Sequence, residues 1–273
     1  DLSKVFVQMK LTVVGEREAA DTLKENIARY ANSQNSIQES DLESNHPFHL
    51  NIESRSRKQI MPAGEQGIST KWFYERARGQ YSTMLRALTG SQKRKFEVEY
   101  PKSQLFTKVD MAKYENTWRM KPFTVKKGAQ ANLRALGAVI LKEFEKNEEQ
   151  FGGAFYQSLV AKTILFRQSD SAILKSEWYK ADKGFKAETI TYTLALLRHF
   201  LIEKGKDINL DRIYQNQSIS KTLSSFIVGL AEQVRKNILD LNFRDGVANP
   251  SEFCKSEKGW LKFQQMNVDL SSL

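Results

Sequence analysis

Hydrophobic positions recur at two different spacings along this chain. Val5–Val14 (VFVQMKLTVV) is β-branched and apolar with polar residues interspersed, which predicts a buried or half-buried strand. After Gly15, the stretch Glu16–Tyr30 has acidic residues early and apolar residues at helical spacing, which predicts a helix. A strand, a turn and a helix in this order predict a small mixed α/β part at the N-terminal end.

From residue 133 onward the helical spacing dominates. It predicts these helices: Leu133–Glu149, Ala154–Phe166, Ala172–Tyr179, Lys186–Lys204, Leu210–Asn216 and Ser220–Leu241. We therefore expect an α+β fold that is predominantly α. A mixed α/β part over residues 1–148 leads into an all-α helical bundle over residues 149–273, with a soft boundary near residues 145–152.

Local signals place several shorter elements between these regions. Pro47 at a first helical position predicts a helix start, and Thr107 is typical of a cap before the helix Met111–Trp118. Ile60–Thr70 has one Pro and two Gly, which favours a loop. Phe96–Tyr100 (FEVEY) alternates between apolar and charged residues and predicts a short strand.

The stretch Lys71–Tyr81 (KWFYERARGQY) fits none of these simple patterns. Its eleven residues hold four aromatic rings, three cations, one carboxylate and one amide. A helix would place Lys71, Glu75 and Arg78 on one side, yet the rings are too evenly spread for an amphipathic stripe. The mixture indicates either a functional site or a specialised packing joint, by which we mean a segment at which two packed regions meet.

The charge distribution adds a functional indication. The formal net charge is +10, and residues 55–142 carry 19 Lys/Arg against 6 Asp/Glu, a local charge of +13. A concentrated basic block is typical of proteins that bind a phosphate backbone, although a solvated basic face would have the same composition. No apolar run is long enough to span a bilayer, and the single Cys254 fits a reducing, cytoplasmic setting.

DNA or RNA is therefore the partner that we expect, and the candidate contacts fall into three groups. Phosphate contacts would come from Arg76, Arg78, Lys93, Arg94, Lys95, Lys126 and Lys127. Polar contacts to bases or backbone would come from Gln80, Asn32, Gln34 and Asn35. Trp72 or Tyr74 would stack on bases.

The three amides at 32, 34 and 35 have two interpretations. They lie in Ala31–Leu42 (ANSQNSIQESDL), which is rich in residues that favour turns and helix caps. The alternative is a polar loop that follows a helix and hydrogen-bonds nucleic acid.

Catalytic motifs are scarce. The chain has no GxGxxG, no GxxxxGK[ST] and no GxSxG, and it implies no cofactor. His46 and His49 lack the neighbouring ligands that a metal site needs. A metal-dependent nuclease could be assembled from Glu97, Glu99 and Lys102, but a polar sheet face explains that alternation as well.

Five segments together resemble the AIPR family of abortive-infection phage-resistance proteins. They are DLSKVFVQMKLTVV at the start, YANSQNSIQESDLESNHPFH, KWFYERARGQY, LFTKVDMAKYENTW and NPSEFCKSEKGW. They occur in one order and span nearly the whole chain.

The resemblance implies a bacterial protein, usually longer than this chain and often encoded near restriction-modification genes. Longer members look as if they carry a restriction-endonuclease-like domain N-terminal to this region. Since the chain opens Asp-Leu-Ser-Lys without an initiator Met, we expect a C-terminal fragment without such catalytic residues. In the family that the chain resembles, an NGGQT-like segment typically precedes the first strand, and this chain lacks it. A site built jointly from that segment and Asn32, Gln34 or Asn35 would therefore be incomplete.

A weaker likeness concerns Arg29–Leu42 (RYANSQNSIQESDL), which is similar to the helix and polar box of ParB and DGQHR-type folds that bind nucleotides or DNA.

Two functions thus compete. The first is a non-catalytic, nucleic-acid-binding portion of a phage-defence protein. The second is a structural or sensor module that docks onto a nuclease-like domain or a phage protein. In the second case the aromatics of Lys71–Tyr81 would anchor the interface, and Glu75 would form buried pairs with Arg76 or Arg78.

Overall fold

The computed structural model describes residues 43–62, 69–271 and 273, and only the backbone at 242–245. The chain divides after Glu43, and the elements described belong to the unit Ser44–Leu273. The strand predicted at Val5–Val14, the helix at Glu16–Tyr30 and the loop at Ala31–Leu42 lie outside the described residues.

Thirteen α-helices and two strands occur within these residues. The first elements are α1 (Pro47–Lys58), β1 (Phe73–Glu75), α2 (Gln80–Ala87), α3 (Gly90–Glu99), β2 (Leu105–Thr107), α4 (Lys108–Trp118), α5 (Pro122–Val125) and α6 (Ala129–Lys146). They are followed by α7 (Gly153–Lys175), α8 (Glu177–Ala181), α9 (Lys186–Glu203), α10 (Leu210–Asn216), α11 (Lys221–Asp245), α12 (Pro250–Phe253) and α13 (Glu257–Phe263). The predominantly α class is confirmed.

The helices begin where the sequence supplies caps. The Thr107 hydroxyl accepts a hydrogen bond from the backbone N–H of Asp110, and the Asp110 carboxylate accepts one from the backbone N–H of Thr107, which completes a capping box at α4. Pro47 occupies the first turn of α1, and Ser220 caps α11. The predicted cap at Thr107 and the predicted helix starts at Pro47 and Ser220 are confirmed, whereas α4 begins at Lys108, three residues before the predicted Met111.

The strand predicted at Phe96–Tyr100 is wrong, because this segment belongs to α3 and its C-cap. Phe96 and Tyr100 are spaced by four residues, which fits one face of a helix as well as alternate positions of a strand. Both rings are buried against Phe73 and Tyr81, whereas Val98, the middle apolar residue, is 57% exposed. The five-residue alternation was too short to separate the two periods.

The two strands form a parallel pair in the register Phe73↔Leu105, Tyr74↔Phe106 and Glu75↔Thr107. Alternation along β1 sends neighbouring rings to opposite sides. Tyr74 packs into the main core, whereas Phe73 packs into a separate small cluster. The stretch predicted as a possible packing joint therefore lies between two hydrophobic clusters.

The main core includes residues of α1, α4, α6, α7, α9 and α11. Its residues lie on both sides of position 148, and a division of the chain there stays a prediction. Among the described residues, no helix is both long enough and apolar enough to cross a membrane.

Candidate nucleic-acid interface

Trp72 and Tyr74 are packed inside the main core. Trp72 is 4% exposed, and its indole Nε1 donates to Oε1 of Gln217 at 3.0 Å. Tyr74 is fully buried, with its hydroxyl 2.7 Å from Nδ1 of His49. Both rings therefore stabilise the fold, and neither presents a free face on which a base could stack.

Burial also sets the protonation of this pair. Burial, together with the positive charge of Lys108, lowers the pKa of His49 to about 3. Burial raises the pKa of the Tyr74 phenol well above its ordinary value. A neutral imidazole and a neutral phenol can share one hydrogen bond without placing a charge in the core.

Arg76 is held by a set of acceptors around α1. Its Nε lies 2.8 Å from Oε2 of Glu53, and its Nη1 donates to the carbonyl of Ser44 and to Oδ1 of Asn45, both at 2.8 Å. Gln80 donates from Nε2 to Oε1 of the same Glu53. The guanidinium of Arg76 and the amide of Gln80 thus serve packing between α1 and the turn after β1.

Glu75 has a different role from the pairing with Arg76 or Arg78 considered above. Its carboxylate accepts from the backbone N–H of Gly79 at 3.0 Å and of Tyr81 at 3.1 Å, at the N-terminus of α2. Gly79 has φ +78°, which an L side chain rarely adopts. In the described part of the chain no ion pair joins Glu75 to either arginine, so that expectation is wrong.

Beyond Gly79 the chain forms an exposed helical hairpin. We call residues 78–99 the basic hairpin. It comprises Arg78, Gly79, α2, the connecting residues 88 and 89, and α3. Its inner side carries Tyr81 and Phe96, which pack with Phe73 and Tyr100. The hydroxyl of Tyr81 donates to the carbonyl of Tyr100 at 2.8 Å and fixes α2 to the end of α3.

The basic hairpin also carries exposed cations. Five are exposed, namely Arg78, Arg86, Lys93, Arg94 and Lys95. Within the described residues none of the five forms an ion pair. Four of them are predicted phosphate contacts, and Arg86 was missed because it stands alone in the sequence between apolar residues.

The last two predicted phosphate contacts, Lys126 and Lys127, have different surroundings. Lys126 points inward, and its Nζ lies 2.6 Å from Oε1 of the buried Glu188, which also accepts from Ser251. Burial acts to raise the pKa of Glu188, but the hydrogen bonds from Lys126 and Ser251 outweigh it and leave that pKa lowered. Lys127 is exposed. Asn32, Gln34 and Asn35 lie outside the described residues.

The carboxylates considered for a nuclease lie on α3. Glu97 and Glu99 are two residues apart on this helix and do not face each other. Glu99 pairs with Nζ of Lys71 at 2.7 Å, while Glu97 and Lys102 are exposed. The described residues contain no group of three or more His, Cys, Asp or Glu side chains that could hold a metal ion.

A polar network around α4, buried at Lys162 and Glu115, was not predicted. Nζ of Lys162 lies 2.6 Å from Oε1 of Glu115, and these side chains are 8% and 2% exposed. Arg119 binds the two carboxylate oxygens of Glu143 at 2.9 and 2.7 Å. In the sequence, only the four-residue spacing of Glu115 and Arg119 indicates such a network. Their other partners, Glu143 on α6 and Lys162 on α7, are distant in sequence.

Comparison with known proteins gives one match. The model of the family described as AIPR protein matches residues 1–241 of the 273-residue chain. No functionally curated protein and no solved structure matches the chain. Because the matched region covers most of its length, the chain belongs to the AIPR family, which suggests a bacterial abortive-infection, phage-defence protein.

Proposed function

We propose that this chain is the non-catalytic, nucleic-acid-binding portion of a phage-defence protein, and that the basic hairpin makes the contact. One observation carries the proposal: five cations are exposed on consecutive elements and form no ion pair with any described residue. Cations that neutralise phosphates release counterions, which favours binding without any reading of sequence.

Because the aromatic rings are buried, we expect a duplex and not a single strand as the ligand. Single-strand binding proteins stack bases on exposed rings. Here Tyr81 and Phe96 face the inner side of the basic hairpin, and Trp72 and Tyr74 lie in the main core. Contact through cations alone favours the regular phosphate backbone of a duplex.

The test compares two triple variants by fluorescence anisotropy with labelled duplex DNA and RNA and with the single strands. Lys93→Ala/Arg94→Ala/Lys95→Ala removes three exposed cations of the basic hairpin. The control removes three exposed lysines elsewhere in the chain, by alanine substitution of Lys175, Lys183 and Lys258.

The logarithm of the affinity should fall less steeply with the logarithm of the salt concentration in the hairpin variant, with a slope smaller in magnitude by about 2 to 3. The control should keep the slope of the original chain. Absence of binding at low salt, or equal slopes in the two variants, would overturn the proposal.

Docking onto a nuclease-like domain or a phage protein is the second candidate. It is favoured by apolar surface on the same hairpin, where Val98 is 57% and Met84 37% exposed. Val98→Ser/Met84→Ser should leave nucleic-acid affinity unchanged if phosphate contact is the function. Loss of protein association in this variant, with no nucleic-acid binding by the original chain, would favour docking.

A further inference from the structure

A cleft of about 300 Å³ opens where α9 ends, α10 lies and α11 begins. Its volume falls at the lower end of the range for small-molecule sites. It shares no lining residue with the basic hairpin.

Three cations line the cleft, namely Lys204, Lys206 and Arg212. All three are exposed, and none forms an ion pair with a described residue. The acid in the lining, Asp207, is already bound by Arg198, with Nη2 to Oδ2 at 3.1 Å. Three cations without a carboxylate partner among the described residues therefore line the cleft beside one acid that is already paired.

The rest of the lining joins apolar and neutral polar groups. Leu201 and Ile213 are buried, and Leu223 is half-buried, so they offer an apolar floor. Asn216 and Ser218 stand beside them with an amide and a hydroxyl. This combination fits a ligand with an anionic head and an apolar body.

One wall of the cleft is fixed in place. Gln217 adopts a left-handed conformation with φ +48°, and its side chain accepts from Nε1 of Trp72. Gln168 accepts from the backbone N–H of Ile219 at 2.8 Å. Since the wall is already ordered, a ligand would not have to order it on binding.

We propose that this cleft binds a small organic anion of nucleotide size, whose phosphate or carboxylate contacts Arg212, Lys204 and Lys206 while its body covers Leu201, Ile213 and Leu223. This site is distinct from the basic hairpin, because no residue of the hairpin lines the cleft.

The test uses the fluorescent aromatic sulfonate 1-anilinonaphthalene-8-sulfonate as the probe. Lys206→Ala/Arg212→Ala removes two exposed cations of the cleft, and Lys175→Ala/Lys183→Ala removes two exposed cations outside it. We expect saturable binding by the original chain and the control, and an affinity about tenfold lower in the cleft variant. Circular dichroism checks that both variants keep their helical content.

Displacement of the probe identifies the chemistry of the ligand. Adenosine 5′-monophosphate tests a nucleotide, octanoate tests an acyl carboxylate, and uncharged adenosine tests whether the anionic head matters. Displacement by either anion, weakened in the cleft variant, supports the site and names its class. Displacement by adenosine as strong as by the monophosphate, or equal probe affinity in the two variants, would overturn the proposal.

Discussion

Arg76 and Arg78 are two residues apart and have opposite surroundings. The side chain of Arg76 is 18% exposed and its guanidinium binds Glu53, Ser44 and Asn45. Arg78 is exposed and pairs with no described residue. The turn at 76–79 separates them, because it follows the end of β1 and leads into α2 at Gly79. Identical residue types in one motif thus stabilise the fold in one case and remain available for a partner in the other.

The same contrast divides the cations of the whole described region. Lys162, Lys126 and Arg235 are largely buried, and each pairs with a carboxylate. The exposed cations of the basic hairpin have no such partner among the described residues. The net charge of a sequence block therefore overstates the surface available to an anionic partner, since part of that charge is neutralised inside the protein.

The largest expected effect comes from the buried Lys162–Glu115 pair. Lys162→Met should lower the free energy of unfolding by about 3–5 kcal/mol, because Glu115 would keep a buried charge without its closest partner. Urea denaturation measures the change. Adding Glu115→Gln should restore much of the loss, and a double variant as unstable as the single one would contradict a charge-based cause.

A smaller effect should separate the two arginines of the motif. Arg76→Ala should cost about 2–3 kcal/mol of unfolding free energy, since among the described residues it leaves the Glu53 carboxylate with only the 3.5 Å contact to Arg57 and the Gln80 hydrogen bond. Arg78→Ala should change stability by less than about 0.5 kcal/mol. Thermal and urea unfolding of the pair measures this difference, and equal losses would abolish the contrast between the two positions.

A further effect, smaller per pH unit than the loss expected for Arg76→Ala, concerns pH. Burial lowers the pKa of His49 to about 3, whereas the unfolded residue titrates near its ordinary value of 6.5. Between these values the unfolded chain binds a proton that the folded chain does not, so the contribution of His49 to stability is complete above pH 6.5 and declines as the pH falls towards 3.

The slope of this decline should approach about 1.4 kcal/mol per pH unit below pH 6. His49→Gln should remove that part of the pH dependence. Tyr74→Phe keeps the imidazole and removes its hydroxyl partner, so it should lower stability at neutral pH while it retains the decline in acid. Unfolding curves recorded from pH 7 to pH 4.5 give the comparison. A slope unchanged by His49→Gln would show that other groups carry the acid sensitivity.

Much of the helical architecture was predictable from sequence. The helix at Leu210–Asn216 has the predicted bounds, and α9 differs from its prediction by one residue at its end. Helical spacing and caps are local properties, which explains this success. The strand prediction for the FEVEY segment was wrong because the spacing of its two rings fits both a helix and a strand. Only their contact with Phe73 in the folded chain decides between the two.

The sequence by itself determined the predominantly α class, the family and the position of the basic block. These depend on spacing, composition and motif order, which are all local or additive along the chain. Only the tertiary structure decided which charged and aromatic residues face solvent. Arg76, Lys126, Trp72 and Tyr74 are turned inward by partners distant in sequence, whereas Arg78 and Lys93–Lys95 meet no such partner in the described residues. Pairing of a charge depends on what the fold brings within a few ångströms, and the order of residues alone does not contain that distance.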